Sequence, residues 1–232
     1  MLNYKKIKFF NLEKDFFNYY LKKNKINYYI VKKNNKFIDI GTPNDYRRAS
    51  KFFKNKNKGF FLILDRDGII NVDTGYISDE KELKFIKNIH KLINFFNNLS
   101  VPIFVVSNQS GVGRGFLTEA KLYKIHKKIN DYLYKNNSYI NHIYYCPHHL
   151  QSKISKYKKN CKFRKPNNGF YQKIKKQWFL RSDNALMIGD QKSDMEFAKK
   201  SNIHGILFDK PKQDIFKAII NNKKIKKLIK NL

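Results

Sequence analysis

Phe60 to Tyr76 reads F-F-L-I-L-D-R-D-G-I-I-N-V-D-T-G-Y. Its opening run, Phe60 to Leu64, is apolar without alternation and is bounded by Gly59. Such a run predicts a strand of a parallel sheet covered on both faces, because it keeps no side for solvent. It ends in two acids, Asp65 and Asp67, with Gly68 behind them. Ligands of open α/β sheets bind beyond the carboxyl ends of strands, so the acids stand where a site is expected. Asp65 is placed to attack a phosphorus and Asp67 to deliver and recover a proton. Two carboxylates this close repel each other unless a cation lies between them or one is protonated. A hard cation such as magnesium (Mg2+) is therefore implied. The plainer alternative is a strand-end turn built from Asp and Gly.

Downstream, the same pattern returns. Val101 to Val106 is a second apolar strand running into S-N-Q-S-G-V-G-R-G, Ser107 to Gly115. Ser107 and the loop amides after it are candidates to hold phosphate oxygens. Thr118 is placed to cap the next helix, with Lys121 at N3, and Leu122, Ile125, Ile129, Tyr132 and Leu133 form its apolar face. Between the two strands, Lys81 to Leu99 has helical spacing, with Leu83, Ile86, Ile89, Ile93 and Phe96 along one side. His90 in that stretch reads as a surface or core-edge residue. Ile143 to Tyr145 is a short strand entering C-P-H-H, Cys146 to His149. A basic loop leads from there to C-K-F-R-K-P-N-N-G, Cys161 to Gly169. Cys146, His148 and Cys161 are candidate ligands for a structural zinc (Zn2+), with Phe163 where a further cysteine would stand and His149 or a water left to complete the set. The alternative is two reduced cysteines and a loop histidine. Arg164 and Lys165 form a cationic pair before Pro166, suited to substrate and transferring phosphate. Asn184 to Ile188 is a fourth strand, followed by Gly189 and Asp190, with Asp194 at the opening of a helix. One of these acids would bind the cation, and the other would orient it through water or a lysine. Ile203 to Phe208 closes the sheet, and a basic helix follows Pro211.

Composition sets the class. At 232 residues, with 41% hydrophobic and 16% aromatic residues, the chain can hold one large domain, or one domain and an appendage. No apolar run has the length of a bilayer span, and the start has no apolar core ending in small residues, so a cytoplasmic location is expected. Two cysteines make no disulfide framework. The formal charge of +31 comes overwhelmingly from lysines spread along the chain with Asn, Ile, Phe and Tyr. These residues share A/T-rich codons, so a biased genome suffices, and a nucleic-acid partner is not expected. In either case the field favours anionic substrates.

Residues 1–56 read as an appendage and 57–232 as the main domain, joined by the polar K-N-K-N-K of Lys54 to Lys58. Leu12 to Leu21 has helical spacing, and Ile26 to Val31 and Lys36 to Ile40 read as short strands. F-I-D-I-G-T-P-N-D-Y-R-R-A, Phe37 to Ala49, resembles the closing part of a sugar-phosphate nucleotidyltransferase. The Gly-rich nucleotide-binding start of that family is absent, which implies a remnant or truncated fusion without transferase activity. Its context is sugar-phosphate activation.

The four strand ends carry, in order, Asp-x-Asp-Gly, Ser-Asn-Gln, a lysine and Gly-Asp-x-x-x-Asp. Over residues 59–209 this set resembles the haloacid-dehalogenase-like phosphohydrolases, nearest the heptose bisphosphate phosphatase group with the histidinol-phosphatase group beside it. The resemblance implies a doubly wound α/β fold, a parallel sheet with a minimal cap. It implies a phosphatase acting on a small sugar phosphate through an aspartyl phosphate, in heptose and lipopolysaccharide precursor synthesis, as a monomer away from membranes. Carried over by position, Asp65 is the nucleophile and Asp67 the acid and base. Ser107 and Lys165 steady the phosphoryl group. Asp65, Asp67 (through its main-chain carbonyl) and Asp190 hold magnesium. Arg66, Asp73, Thr74, Gly75, Tyr76, Asn108, Gln109, Ser110 and Arg164 read the sugar. Ile69 stands where a threonine is usual and Gln191 where the heptose group often has lysine. A histidinol-phosphate phosphatase and a nucleic-acid end phosphatase are the alternatives.

Overall fold

A computed structural model describes residues 16–23, 42–44, 59–180, 184–210 and 212–229. The chain divides into two compact units, Met1–Ala49 and Ser50–Leu232. In the first, a helical turn spans Asn18–Leu21, inside the stretch read as helical. The strands expected at 26–31 and 36–40 and the linker at 54–58 lie outside the described residues, as does the 37–49 phrase except for 42–44.

The second unit is built on five parallel strands: β1 (Phe61–Leu64), β2 (Ile103–Asn108), β3 (His142–Cys146), β4 (Ala185–Gly189) and β5 (His204–Leu207). Their order is β3-β2-β1-β4-β5. The chain winds outward from β1 to β3, then returns to pair β4 on the other side of β1. The direction of winding therefore reverses at β1, the topological switch point at which open α/β sheets bind ligands.

Every residue of β1 is fully buried, because the strand alternates its side chains between two helical layers. Leu62 and Leu64 face α1 (Ile89–Asn98), α3 (Glu119–Lys135) and α6 (Ile215–Ile220) through residues such as Leu92, Ile125 and Ile219. Phe61 and Ile63 face α4 (Gly169–Gln177) and α5 (Lys192–Lys200) through Tyr171, Ile174 and Phe197. A short helix α2 (Ser110–Arg114) follows β2, and α7 (Lys223–Ile229) ends the described chain. The basic C-terminal helix is thus two helices, with Asp214 capping the first and Asn221 ending it. Thr118 caps α3 as expected, accepting from the Lys121 N–H at 3.2 Å. The connections at 65–88 and 147–168 contain only short 3-10 turns, so neither builds a separate domain.

The helix expected from Lys81 starts only at Ile89. Asp79 caps a 3-10 turn at Glu80–Glu82, and the chain then extends so that Val72 and Ile86 hydrogen-bond to Lys84 and Ile70. Leu83 and Ile86 are buried from this extended segment, so their spacing imitates a helical stripe that belongs to two elements. Asn88, in the left-handed region, makes the turn into α1.

Candidate active site

Asp65 continues the ladder beyond β1, its N–H bonded to Ile188 O at 2.9 Å. Its carboxylate is nearly buried and lies 2.8 Å from Lys165 Nζ. Lys165 also reaches Asp194 Oδ1 at 2.6 Å, so one buried ammonium joins acids from β1 and α5. Lys165 is held in turn by Asn108: its N–H donates to Asn108 Oδ1 at 2.9 Å and its carbonyl accepts from Asn108 Nδ2 at 3.0 Å. The end of β2 thereby fixes the loop that carries the cation.

Oxygens of Asp65, Asp190 and Asp194 lie within 4.8 Å of one another. Burial pushes Asp65 up to about 7 against the pull of Lys165, with the charges of Asp194 and Asp67 adding to the rise. Burial likewise lifts Asp190 to about 6. Asp190 Oδ1 is buried without a hydrogen-bond partner, while Oδ2 accepts from Gln191 Nε2 at 3.1 Å. Hard oxygen donors, an orphaned acceptor and carboxyls lifted by one another fit a divalent cation such as magnesium. Two glycines make the convergence possible. A Cβ on Gly68 would stand 2.1 Å from Asp190 Oδ2, and one on Gly189 would stand 2.3 Å from Asp194 Cγ.

Asp67 faces away from this cluster. Arg66 Nη2 donates to both of its oxygens, at 2.7 and 2.9 Å, and Arg66 Nε adds a bond at 3.1 Å. Asn71 Nδ2 (2.9 Å) and Gln109 Nε2 (2.7 Å) complete the clasp. Burial would raise the Asp67 pKa, but the Arg66 charge and these hydrogen bonds outweigh it and hold it below the ordinary value. Its side-chain oxygens are committed, which leaves the main-chain carbonyl as its means of meeting a cation. Gln109 Nε2 also meets Ser107 Oγ at 2.7 Å, tying the phosphate-loop hydroxyl to the same acid.

Several residues expected at the sugar are placed otherwise. Arg66 is 1% exposed and pairs with Asp67 through Nε and Nη2. Asn108 and Gln109 use their amides to position Lys165, Ser107 and Asp67. Ser110 is buried in the first turn of α2. Asp73, Thr74, Gly75 and Tyr76 are exposed on the loop after β1, where Asp73 accepts from the Gly75 N–H. Arg164 is half-buried and donates to His148 O at 3.2 Å.

Donor atoms of Cys146, His148 and Cys161 also lie within 4.8 Å of one another. Burial pushes the Cys146 thiol up to about 12. Phe163 packs on Phe170 with ring centroids 5.0 Å apart, and His149 Nδ1 accepts from the Gln151 N–H. Three borderline-soft donors suit zinc, and among the described residues no fourth joins them.

Sequence reasoning did not single out Asn71 or His126. Asn71 is fully buried, and the signal was an amide inside the apolar run I-I-N-V. His126 is buried on the core side of α3, next to Ile125 and four residues after Leu122. Burial first, and the Arg66 charge second, hold it down to about 3.

The comparisons agree with this geometry. A family model described as HAD-hyrolase-like matches residues 162–224. The chain is 33% identical over 153 residues to a D-glycero-beta-D-manno-heptose-1,7-bisphosphate 7-phosphatase of Rhodopseudomonas palustris, covering 66% of this chain and 85% of that protein. It is 31% identical to the corresponding alpha-anomer enzyme of Campylobacter jejuni, covering 71% and 92%. A HAD-like phosphatase structure from Mesorhizobium loti superposes with TM-score 0.62 at 30% identity, over 65% of this chain and 72% of that one. A heptose 1,7-bisphosphate phosphatase of B. bronchiseptica, solved with magnesium and phosphate, superposes with TM-score 0.58 at 26% identity, over 63% and 79%. With the switch-point aspartates, the buried lysine and these relatives in agreement, the chain belongs to the haloacid-dehalogenase-like phosphatases.

Proposed function

We propose that this phosphatase removes the 7-phosphate of a D-glycero-D-manno-heptose 1,7-bisphosphate. The observation that carries the chemistry is the contact between buried Lys165 and both Asp65 and Asp194 at the end of the central strand. The relatives' activity supplies the substrate.

Asp65 Oδ attacks the phosphorus, the bond to the sugar oxygen breaks, and Asp67 gives that oxygen its proton. Asp67 then takes a proton from the water that splits the aspartyl phosphate, freeing phosphate and restoring Asp65. Lys165 and Ser107 hold phosphoryl oxygens during both steps. Asp65, Asp190 and the Asp67 carbonyl would hold magnesium, with Asp194 setting the position of Lys165. When bound, the ion offsets the charge shared by carboxylate and phosphate. Cys146, His148 and Cys161 would hold zinc with one position open to water.

The test is steady-state phosphate release, with magnesium, from heptose 1,7-bisphosphate and from histidinol phosphate. The reading expects the heptose to be preferred by at least about 100-fold in kcat/KM, a difference within reach of a few charged contacts. Preference for histidinol phosphate would discard the substrate.

A further inference from the structure

A cavity of about 770 Å³ lies where the loop at 160–169 meets α4 and the end of α5. None of the residues assigned above to phosphate, magnesium, zinc or the sugar lines it. Lysine supplies four of its ten lining residues: Lys162 from the loop, Lys173 and Lys176 from α4, and Lys200 from the last turn of α5. Lysine and arginine together make up 49 of the 232 residues of the chain, so four in ten is a concentration of charge even here. Among the described residues no acid lines the cavity, and none of the four ammonium groups makes an ion pair. Amide side chains, Asn168 and Gln172 among them, make up most of the remainder. Helix α4 begins at this wall without a side-chain cap, so the positive end of its dipole adds to the same field.

The walls are tied together by the protein's own hydrogen bonds. Gly169 N–H donates to Lys162 O at 3.0 Å, Asn167 Nδ2 to Cys161 O at 3.1 Å and Asn168 Nδ2 to Lys200 O at 2.9 Å. A Cβ on Gly169 would stand 2.4 Å from that same Lys162 oxygen, so the glycine lets loop and helix close on each other. Phe163 is a half-buried ring in the wall, packed on Phe170. Lys162 Nζ and Lys173 Nζ lie 5.4 and 5.9 Å from its centroid. Two ammonium groups gathered about one ring are held there by its π face, which offsets a part of their repulsion. An anion would relieve the rest. One phosphate group takes up about two charges, whereas four lysines with amide donors between them suit several linked phosphates. The volume is that of a small-molecule site rather than of a single ion.

We infer that this cavity is a second ligand site, separate from the catalytic one, which binds a chain of linked phosphates such as inorganic tripolyphosphate or the triphosphate of a nucleotide. The lysines and amides hold the phosphates, and the Phe163 ring is the surface on which a nucleobase would rest.

The test is calorimetric titration of the whole chain with tripolyphosphate and with ATP, in magnesium-free buffer at about 0.15 M salt, where diffuse attraction is screened beyond about 8 Å. Lys173→Gln/Lys200→Gln removes two cations from the cavity. Lys121→Gln/Lys223→Gln removes two exposed ones elsewhere and leaves the same net charge. Tripolyphosphate should bind saturably, with Kd raised by about 10-fold or more in the first variant and by less than about 2-fold in the second. Equal weakening in both would assign the binding to the overall charge and overturn the site. So would an unchanged Kd in Lys173→Gln/Lys200→Gln, or no saturable binding by the wild type up to about 1 mM. ATP binding at least about 10-fold tighter than tripolyphosphate, and weakened to the same level in Phe163→Leu, identifies the ligand as a nucleotide. Equal or weaker ATP binding identifies the phosphate chain alone.

Discussion

Asp67 carries three side-chain donors, and they determine which protonation state the site favours at rest. The clasp stabilises the ionised acid, ready to draw a proton from water, while Asp65 is lifted by burial and by its acidic neighbours. Two carboxyls a residue apart are thus driven in opposite directions; Asp65 would be ionised for attack beside a bound divalent cation, and Asp67 must take up a proton before it can serve as the acid. His126 lies behind this arrangement, neutral because burial and Arg66 oppose its charge. Its folded pKa of about 3 lies below the ordinary 6.5, so the unfolded chain takes up the proton first. Stability therefore falls as pH drops from about 6.5 toward 3, by on the order of a few kcal/mol from this group. Melting temperature against pH checks this: His126→Leu should show a shallower acid limb than the wild type. Asp65, Asp67 and Asp190 were legible as candidates because they stand just beyond apolar strands, whereas Lys165 lies in the connection between β3 and α4 and was legible only from the basic R-K-P phrase. The tasks of Arg66, Asn108 and Gln109 were not. A sequence shows that a polar residue is near a site, but not whether its donors are spent on the substrate or on another catalytic group.

At the scale of elements, the site is made by the close approach of two strand ends. β1 and β4 pair in register from Phe61↔Ala185 to Leu64↔Ile188, so both strands run out together and Asp65 and Asp190 follow at their ends. Gly68, at φ +78°, leaves room for the Asp190 carboxylate against the backbone. Gly68→Ala should strain the turn by about 1–3 kcal/mol and displace Asp190. The magnesium concentration for half-maximal activity should rise by about 10-fold or more, as for a disturbed supporting contact. A magnesium titration of activity, read beside the magnesium-induced rise in melting temperature, measures both effects. All five strands were legible from their apolar runs, and apart from the end of β1 at Leu64 each boundary moved by one or two residues. The stretch at 81–88 was misread because periodicity counts spacing alone. Leu83 and Ile86 reach the core from an extended chain held by Ile70 and Val72.

For the second unit, the order β3-β2-β1-β4-β5 puts β1, which runs into Asp65, at the centre and reverses the winding beside it. That topology gathers residues 65, 107, 165 and 190, widely separated in the chain, at one edge of one sheet. Against a formal charge of +31, acids are concentrated at that edge, where Lys165 joins Asp65 and Asp194. The central claim is that phosphate passes through Asp65. It is tested by an acid quench during turnover of heptose 1,7-bisphosphate with magnesium, followed by mapping of phosphate on the peptides, beside an Asp65→Asn control. The account predicts a base-labile phosphate on the peptide containing Asp65, and a loss of at least about 1,000-fold in release by the control, as for a removed nucleophile. Undiminished release by Asp65→Asn would contradict it.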